Sequence, residues 1–206
     1  LQGNTFTHGN QYRLSVRAKD KVTSPGANVQ EPVSTKDFTY DIYAPTSTLL
    51  LPVANGYYNG STNQLASITG TVTDSPAGIS GNTVWVSVKE AGPNRPWWDQ
   101  DTSTFNAYVE KCSTSTVSGT SPVWSWTYAV PALQDGTTYQ LRTYSRDASG
   151  IDEASGPLRT FYYDVSNPTA SITYPVNLVH YNALVTLSGT AQDTLSLSSV
   201  QFSLRE

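Results

Sequence analysis

Apolar residues along this chain recur at every second position rather than every third or fourth. In residues 123–130 (VWSWTYAV), Trp124, Trp126, Tyr128 and Val130 fall on one face, with Ser125, Thr127 and Ala129 on the other. Val84, Val86 and Val88 alternate with Trp85, Ser87 and Lys89, and Tyr139, Leu141 and Thr143 alternate with Gln140, Arg142 and Tyr144. A period of two is that of a strand with one buried face. Turn signals punctuate these runs at Asn55-Gly56, Asn59-Gly60, Ser80-Gly81-Asn82, Asp135-Gly136 and Ser149-Gly150. The pattern predicts an all-β chain built as two antiparallel sheets packed face to face, a β-sandwich. One stretch reads two ways. Phe105, Tyr108, Val109 and Cys112 have helical spacing within 99–113, but the β-rich context favours strand or irregular structure there.

The chain also repeats itself. Residues 9–20 (GNQYRLSVRAKD) match 136–147 (GTTYQLRTYSRD), and 38–41 (FTYD) match 161–164 (FYYD). Tyr58-Asn59 matches Tyr181-Asn182, 70–74 (GTVTD) match 189–193 (GTAQD), and 84–90 (VWVSVKE) match 200–206 (VQFSLRE). The N-terminal end carries only the later blocks of the unit and the C-terminal end only the earlier ones. This order predicts one complete module at 43–166 between the C-terminal part of a preceding module, 1–42, and the N-terminal part of the next, 167–206. It also predicts a natural protein that continues in both directions. Partial sandwiches leave apolar faces and open strand edges, so the chain is expected to associate or fray at its ends, with copies of itself as one possible source of the missing strands.

Composition narrows the function classes. The net charge of −4 offers no basic field for nucleic acid or an anionic membrane. No apolar run approaches the roughly 20 residues of a helical membrane span. A single cysteine, Cys112, excludes an intrachain disulfide and a cysteine zinc site, and reads as an incidental, half-buried thiol. With 13 Tyr, 5 Trp and 5 Phe, an aromatic core can do the work of a disulfide. No nucleophile elbow, zinc-protease helix motif or phosphate-binding glycine loop is present, so the chain is expected not to be an enzyme. His8 and His180 are the only histidines, and His8 aligns with the turn residue Asp135.

Residues 133–141 (LQDGTTYQL) followed by 145–150 (SRDASG) resemble the segment joining strands E and F in fibronectin type III-like and bacterial Ig-like domains. In that family a corner tyrosine bonds back to the backbone near the turn, and Tyr139 and Tyr12 match it. The junctions 40–46 (YDIYAPT) and 163–169 (YDVSNPT) resemble the short linkers between such modules, and Trp124-Ser125-Trp126 resembles their tryptophan-bearing strand. The insertion with Trp97-Trp98 and Phe105 departs from a minimal fibronectin type III domain. The resemblance implies an extracellular or cell-surface protein of bacterial type, a stalk, adhesin or filament scaffold. The alternative is an accessory carbohydrate- or receptor-binding module of a secreted multidomain protein.

The resemblance also implies Ca2+ between modules, a hard cation needing six to eight oxygens. Candidate ligands are Asp41 with Asp20 at one junction and Asp164 with Asp147 at the other, with Asp74 and Asp193 adding a ligand from the following module. The plainer account is that these aspartates cap turns. Asp99, Asp101, Ser103 and Glu110 mimic an EF-hand spacing, but Thr104 stands where that loop needs glycine. Trp97 and Trp98 could stack on a sugar ring. Against this, adjacent strand residues point to opposite faces, so one of the two would be core.

Overall fold

A computed structural model of the chain describes residues 5–22, 25–154, 156 and 158–206. Among the described residues there are fifteen strands and no helix. The central body is a sandwich. One layer runs β10 (Thr116–Thr120), β11 (Val123–Ala129), β5 (Ser67–Thr73), β3 (Thr46–Leu51). The other runs β4 (Gly56–Tyr58), β13 (Arg159–Tyr163), β12 (Thr137–Asp147), β6 (Ile79–Glu90), β7 (Trp97–Asp99), β8 (Thr104–Ala107), with β9 (Ser113–Thr114) also on β6. All pairings are antiparallel except β4 with β13. A hairpin flanks each end of the sandwich in sequence: β1 (Gln11–Val16) with β2 (Ser34–Thr39), and β14 (Thr169–Tyr174) with β15 (Ser188–Gln192).

The alternating residues fill the space between the layers. Ile68, Val72, Trp124, Trp126 and Tyr128 from one sheet meet Val84, Val86, Val88, Tyr139, Leu141 and Phe161 from the other, all buried. Trp126 donates its indole N–H to the Thr71 carbonyl at 3.2 Å, so its burial leaves no polar group unsatisfied. Gly70 makes room for that ring. A Cβ at this position would stand 1.9 Å from the Thr48 carbonyl and 2.4 Å from Trp126 Cζ2. Gly189, its counterpart in the repeat, meets the Ser171 carbonyl in the same way, at 2.3 Å. Gly70→Ala is therefore expected to cost at least the roughly 1–3 kcal/mol typical of overpacking. Urea unfolding checks it: a loss well under that range would show that β3 can move aside.

Some of the matched sequence blocks share local pairings. Tyr12 stands opposite Phe38 as Tyr139 stands opposite Phe161. Ile172 opposes Gly189 as Leu49 opposes Gly70, and each pairing slips at the following step. The Tyr139 hydroxyl accepts the Gln134 N–H at 2.8 Å and the Tyr12 hydroxyl accepts the Thr7 N–H at 2.7 Å. Two further tyrosines, Tyr58 and Tyr181, accept from Val53 and Val176 over the same five-residue span, each at 2.8 Å.

Two local expectations are corrected. Ser80-Gly81 forms no turn but lies inside β6, where the pairing with β12 slips between Ser145 and Asp147 and Gly81 takes a φ of 59°. A bulge uses the same glycine freedom as a turn. Cys112 is exposed rather than half-buried, with its sulfur against the Tyr144 hydroxyl. The 99–113 stretch contains strands, not a helix.

Candidate functional site

The predicted aspartates regroup. Strands β1 and β2 run antiparallel, so Asp20, beyond the end of β1, and Asp41, beyond the end of β2, lie at opposite ends of their hairpin. The pairing of Asp20 with Asp41 is therefore wrong. Asp20 instead accepts the Val22 N–H at 3.1 Å and the Asn28 N–H at 2.8 Å. Desolvation works against its ionisation, but the Asn28 side chain and these amides outweigh it and hold Asp20 below the usual carboxylate range. The same geometry separates Asp147, at the end of β12, from Asp164, beyond the end of β13.

Asp147 lies instead beside Asp41 and Asp74. One carboxylate oxygen from each of Asp41, Asp74 and Asp147 lies within 4.8 Å of the others. The segment between β2 and β3 supplies Asp41, the end of β5 supplies Asp74 and the end of β12 supplies Asp147. All three are withdrawn from water: the Asp41 side chain is 2% exposed, Asp74 is 7% and Asp147 is 1%. Backbone geometry fixes two of them. Asp41 accepts the Ala77 N–H at 2.9 Å through one oxygen and the Tyr43 N–H at 3.1 Å through the other, with His8 Nδ1 also 3.1 Å away. Asp147 accepts the Ile151 N–H at 2.7 Å and the Ser149 hydroxyl at 2.8 Å.

Asp74 is the member left incomplete. Its Oδ2 is buried and has no hydrogen-bond partner. Desolvation first, and then the Asp41 charge, push its pKa above the ordinary value; the Gly78 amide opposes this and Asp147 adds to it. Three carboxylates converging out of water, one with an orphaned oxygen, are costly unless a cation joins them. The donor set is all oxygen, which suits Ca2+ better than the softer transition metals.

Asp164 and Asp193 form a similar, smaller group. Asp164 follows β13 and Asp193 follows β15, as Asp41 follows β2 and Asp74 follows β5. Asp193 Oδ1 is again buried without a partner. Partial desolvation and the neighbouring Asp193 and Asp135 carboxylates raise the Asp164 pKa, opposed by the Ser166 amide. Asp135, which aligns with His8 in the sequence, holds the segment after β13, accepting the Val165 N–H at 2.7 Å and the Ser166 N–H at 3.3 Å. The Ser166 hydroxyl, then the Val165 N–H, lower its pKa. Sequence reasoning saw Asp135 and His8 only as turn residues. The overlooked signal is strand parity: two strand lengths return the chain to the same end of a sandwich, and one does not.

Trp98 is 8% exposed and packs on Phe105 in the core, which removes it from any sugar platform. Trp97 is half-buried, and its ring already carries two cations, Lys89 Nζ at 5.4 Å and the Arg142 guanidinium at 5.6 Å. The EF-hand mimic is a β7–β8 hairpin whose Glu110 turns instead to Arg142 and Ser87. A cleft of about 460 Å3 opens beside β3, lined by Ser47, Leu49, Asn55, Thr143 and Arg159. Arg159 uses one guanidinium nitrogen there on the Leu49 and Pro52 carbonyls, at 2.7 and 3.2 Å, so it ties β13 to β3.

No family model and no curated protein matches the chain.

Proposed function

We propose that this chain is a non-catalytic segment of a long extracellular bacterial surface protein, a stalk or scaffold of Ig-like sandwiches whose junctions are stapled by calcium. The observation that carries the reading is the Asp41–Asp74–Asp147 cluster with the orphaned Asp74 oxygen. Asp41 comes from the linker, Asp74 and Asp147 from the sandwich, so one ion held by all three ties the linker to the module that follows. Pro45 and Pro168, which restrict their own φ and the residue before them, add stiffness to the two linkers. The short strand registers repeated in the flanking hairpins support a tandem array. Ser and Thr together number 52 against 28 charged residues, a hydrated and weakly charged surface suited to a spacer.

Small-angle X-ray scattering tests the stapling. In millimolar Ca2+ the distance distribution is expected to be narrow and extended, and in EDTA to broaden as the first linker bends. Mg2+, which tolerates only near-ideal octahedral geometry, is expected to substitute poorly. Identical profiles with Ca2+ and EDTA would remove the staple from the account.

A further inference from the structure

One side of the central sandwich is polar where the repeat is apolar. Ser47 on β3 and Thr143 and Ser145 on β12 alternate with outward residues and face the space between the layers, Thr143 6% and Ser145 2% exposed. Read from 40–46 against 163–169 and from 9–20 against 136–147, the repeat carries Ala170, Val16 and Ala18 at these positions. The hydroxyls are therefore not a requirement of the sandwich itself. Glu153 fills part of the gap, accepting the Ser47 N–H at 2.6 Å through one oxygen and the Ser145 N–H at 3.0 Å through the other. The Ser47 and Thr143 hydroxyls bond each other at 2.8 Å. Both line the cleft of about 460 Å3, a volume within the roughly 300–1,000 Å3 range of small-molecule sites.

Arg159 brings the charge. Its Nη1 is committed to the Leu49 and Pro52 carbonyls, and the Asn55 N–H donates to the Thr160 carbonyl at 2.7 Å, so the rim of the cleft is pinned on both sides. Arg13, Arg17, Arg95, Arg142 and Arg146 each pair with a carboxylate. The half-buried Arg159 pairs with none among the described residues. A guanidinium partly withdrawn from water and without a counter-ion favours an anion, and its planar fork matches a carboxylate. Leu49 and Leu158 add an apolar wall suited to the C–H face of a sugar ring. We propose that the cleft binds a hydroxyl-rich carboxylate of the uronic-acid class, its carboxylate on Arg159 and its ring hydroxyls on Ser47, Thr143 and Asn55. A simple carboxylate would leave the hydroxyls of the cleft unused, and a neutral sugar would leave the Arg159 charge unanswered. The site is separate from the Asp41–Asp74–Asp147 cluster, which gathers at the end of β12, and does not depend on a cation there.

Titration of the 206-residue chain with sodium D-glucuronate, followed by two-dimensional amide NMR, tests this. EDTA is present throughout, so that a uronate cannot enter through a cation at the aspartate cluster. Saturable shifts are expected at Leu49, Asn55, Thr143 and Thr160. D-glucose and sodium acetate should each bind roughly tenfold or more weakly, the worth of a hydrogen bond to a charged group. Arg159→Lys keeps the charge and loses the fork, so it should weaken glucuronate by a similar factor and D-glucose much less. Ser47→Ala with Thr143→Val installs the residues of the repeat and removes both partners of one hydrogen bond. Its unfolding midpoint should stay close to that of the wild type while glucuronate and D-glucose both weaken. Should that double variant prove unstable, Arg159→Lys decides. Acetate binding as tightly as glucuronate, shifts gathered away from the cleft, an affinity unchanged by Arg159→Lys, or no saturable binding at tens of millimolar would each overturn the proposal.

Discussion

Trp126→Ala is expected to destabilise the central sandwich by about 3–5 kcal/mol, the range for removing a buried aromatic ring. For a module of this size that lowers the unfolding midpoint by well over 10 °C, at roughly 4 °C or more per kcal/mol. The ring is 1% exposed, sits over the backbone of Gly70 and anchors to the Thr71 carbonyl. Neither neighbour can fill the space, because Gly70 has no side chain and β3 runs directly behind it. Combining Trp126→Ala with Gly70→Ala should give less than the sum of the two losses. Removing the ring takes away the added methyl's clash with Trp126 and leaves the one with the Thr48 carbonyl, and residues in contact couple. Calorimetry on the two single variants and the double variant decides this. A loss below 1 kcal/mol for Trp126→Ala would mean that the sheets can close over the gap.

Asp74→Asn is expected to reverse its effect with the cation. In EDTA at neutral pH the wild type holds a desolvated carboxylate beside Asp41 and Asp147. A carboxylate whose folded pKa is raised binds its proton more tightly when folded. Stability from that group is therefore greatest in acid, and it falls as pH rises from the ordinary aspartate range through the raised value. The amide has the same shape and no charge, so without metal the variant should equal or exceed the wild type at pH 7 and lose the advantage near pH 3. In Ca2+ the order inverts, because the variant has lost a ligand. Thermal melts in both buffers at both pH values test this. A variant less stable than wild type in EDTA would show that Asp74 is a structural acceptor and not a strained ligand.

The fold was readable because strand burial repeats every two residues. Val84, Val86, Val88, Trp124, Trp126, Tyr128, Tyr139 and Leu141 all face inward as the alternation requires. The corner hydroxyls of Tyr12 and Tyr139 were readable too, since their bonds span only five residues. The site was legible in its residues and in part of its grouping: Asp74 lies beside Asp41 and Asp193 beside Asp164 as expected, while Asp20 and Asp147 do not sit where they were paired. Asp41, Asp74 and Asp147 stand out as single aspartates at block ends, but which of them meet depends on which end of the sandwich each strand delivers them to. Local adjacency paired Asp20 with Asp41, and antiparallel pairing sends those two apart. Trp97 and Trp98 were separable in principle by their alternation. Which ring turns inward depends on the β7–β8 hairpin lying over Tyr139 through Phe105, a contact no local pattern encodes.

The most direct test of a cation-stapled tandem segment is the unfolding midpoint of the wild-type chain in millimolar Ca2+ against EDTA. A ligand that binds only the native state at a hundredfold excess over its Kd stabilises by about 2.7 kcal/mol, so the midpoint should rise by roughly 10 °C. An unchanged midpoint would contradict the account. It would leave Asp41, Asp74 and Asp147 as buried turn acceptors that repel one another.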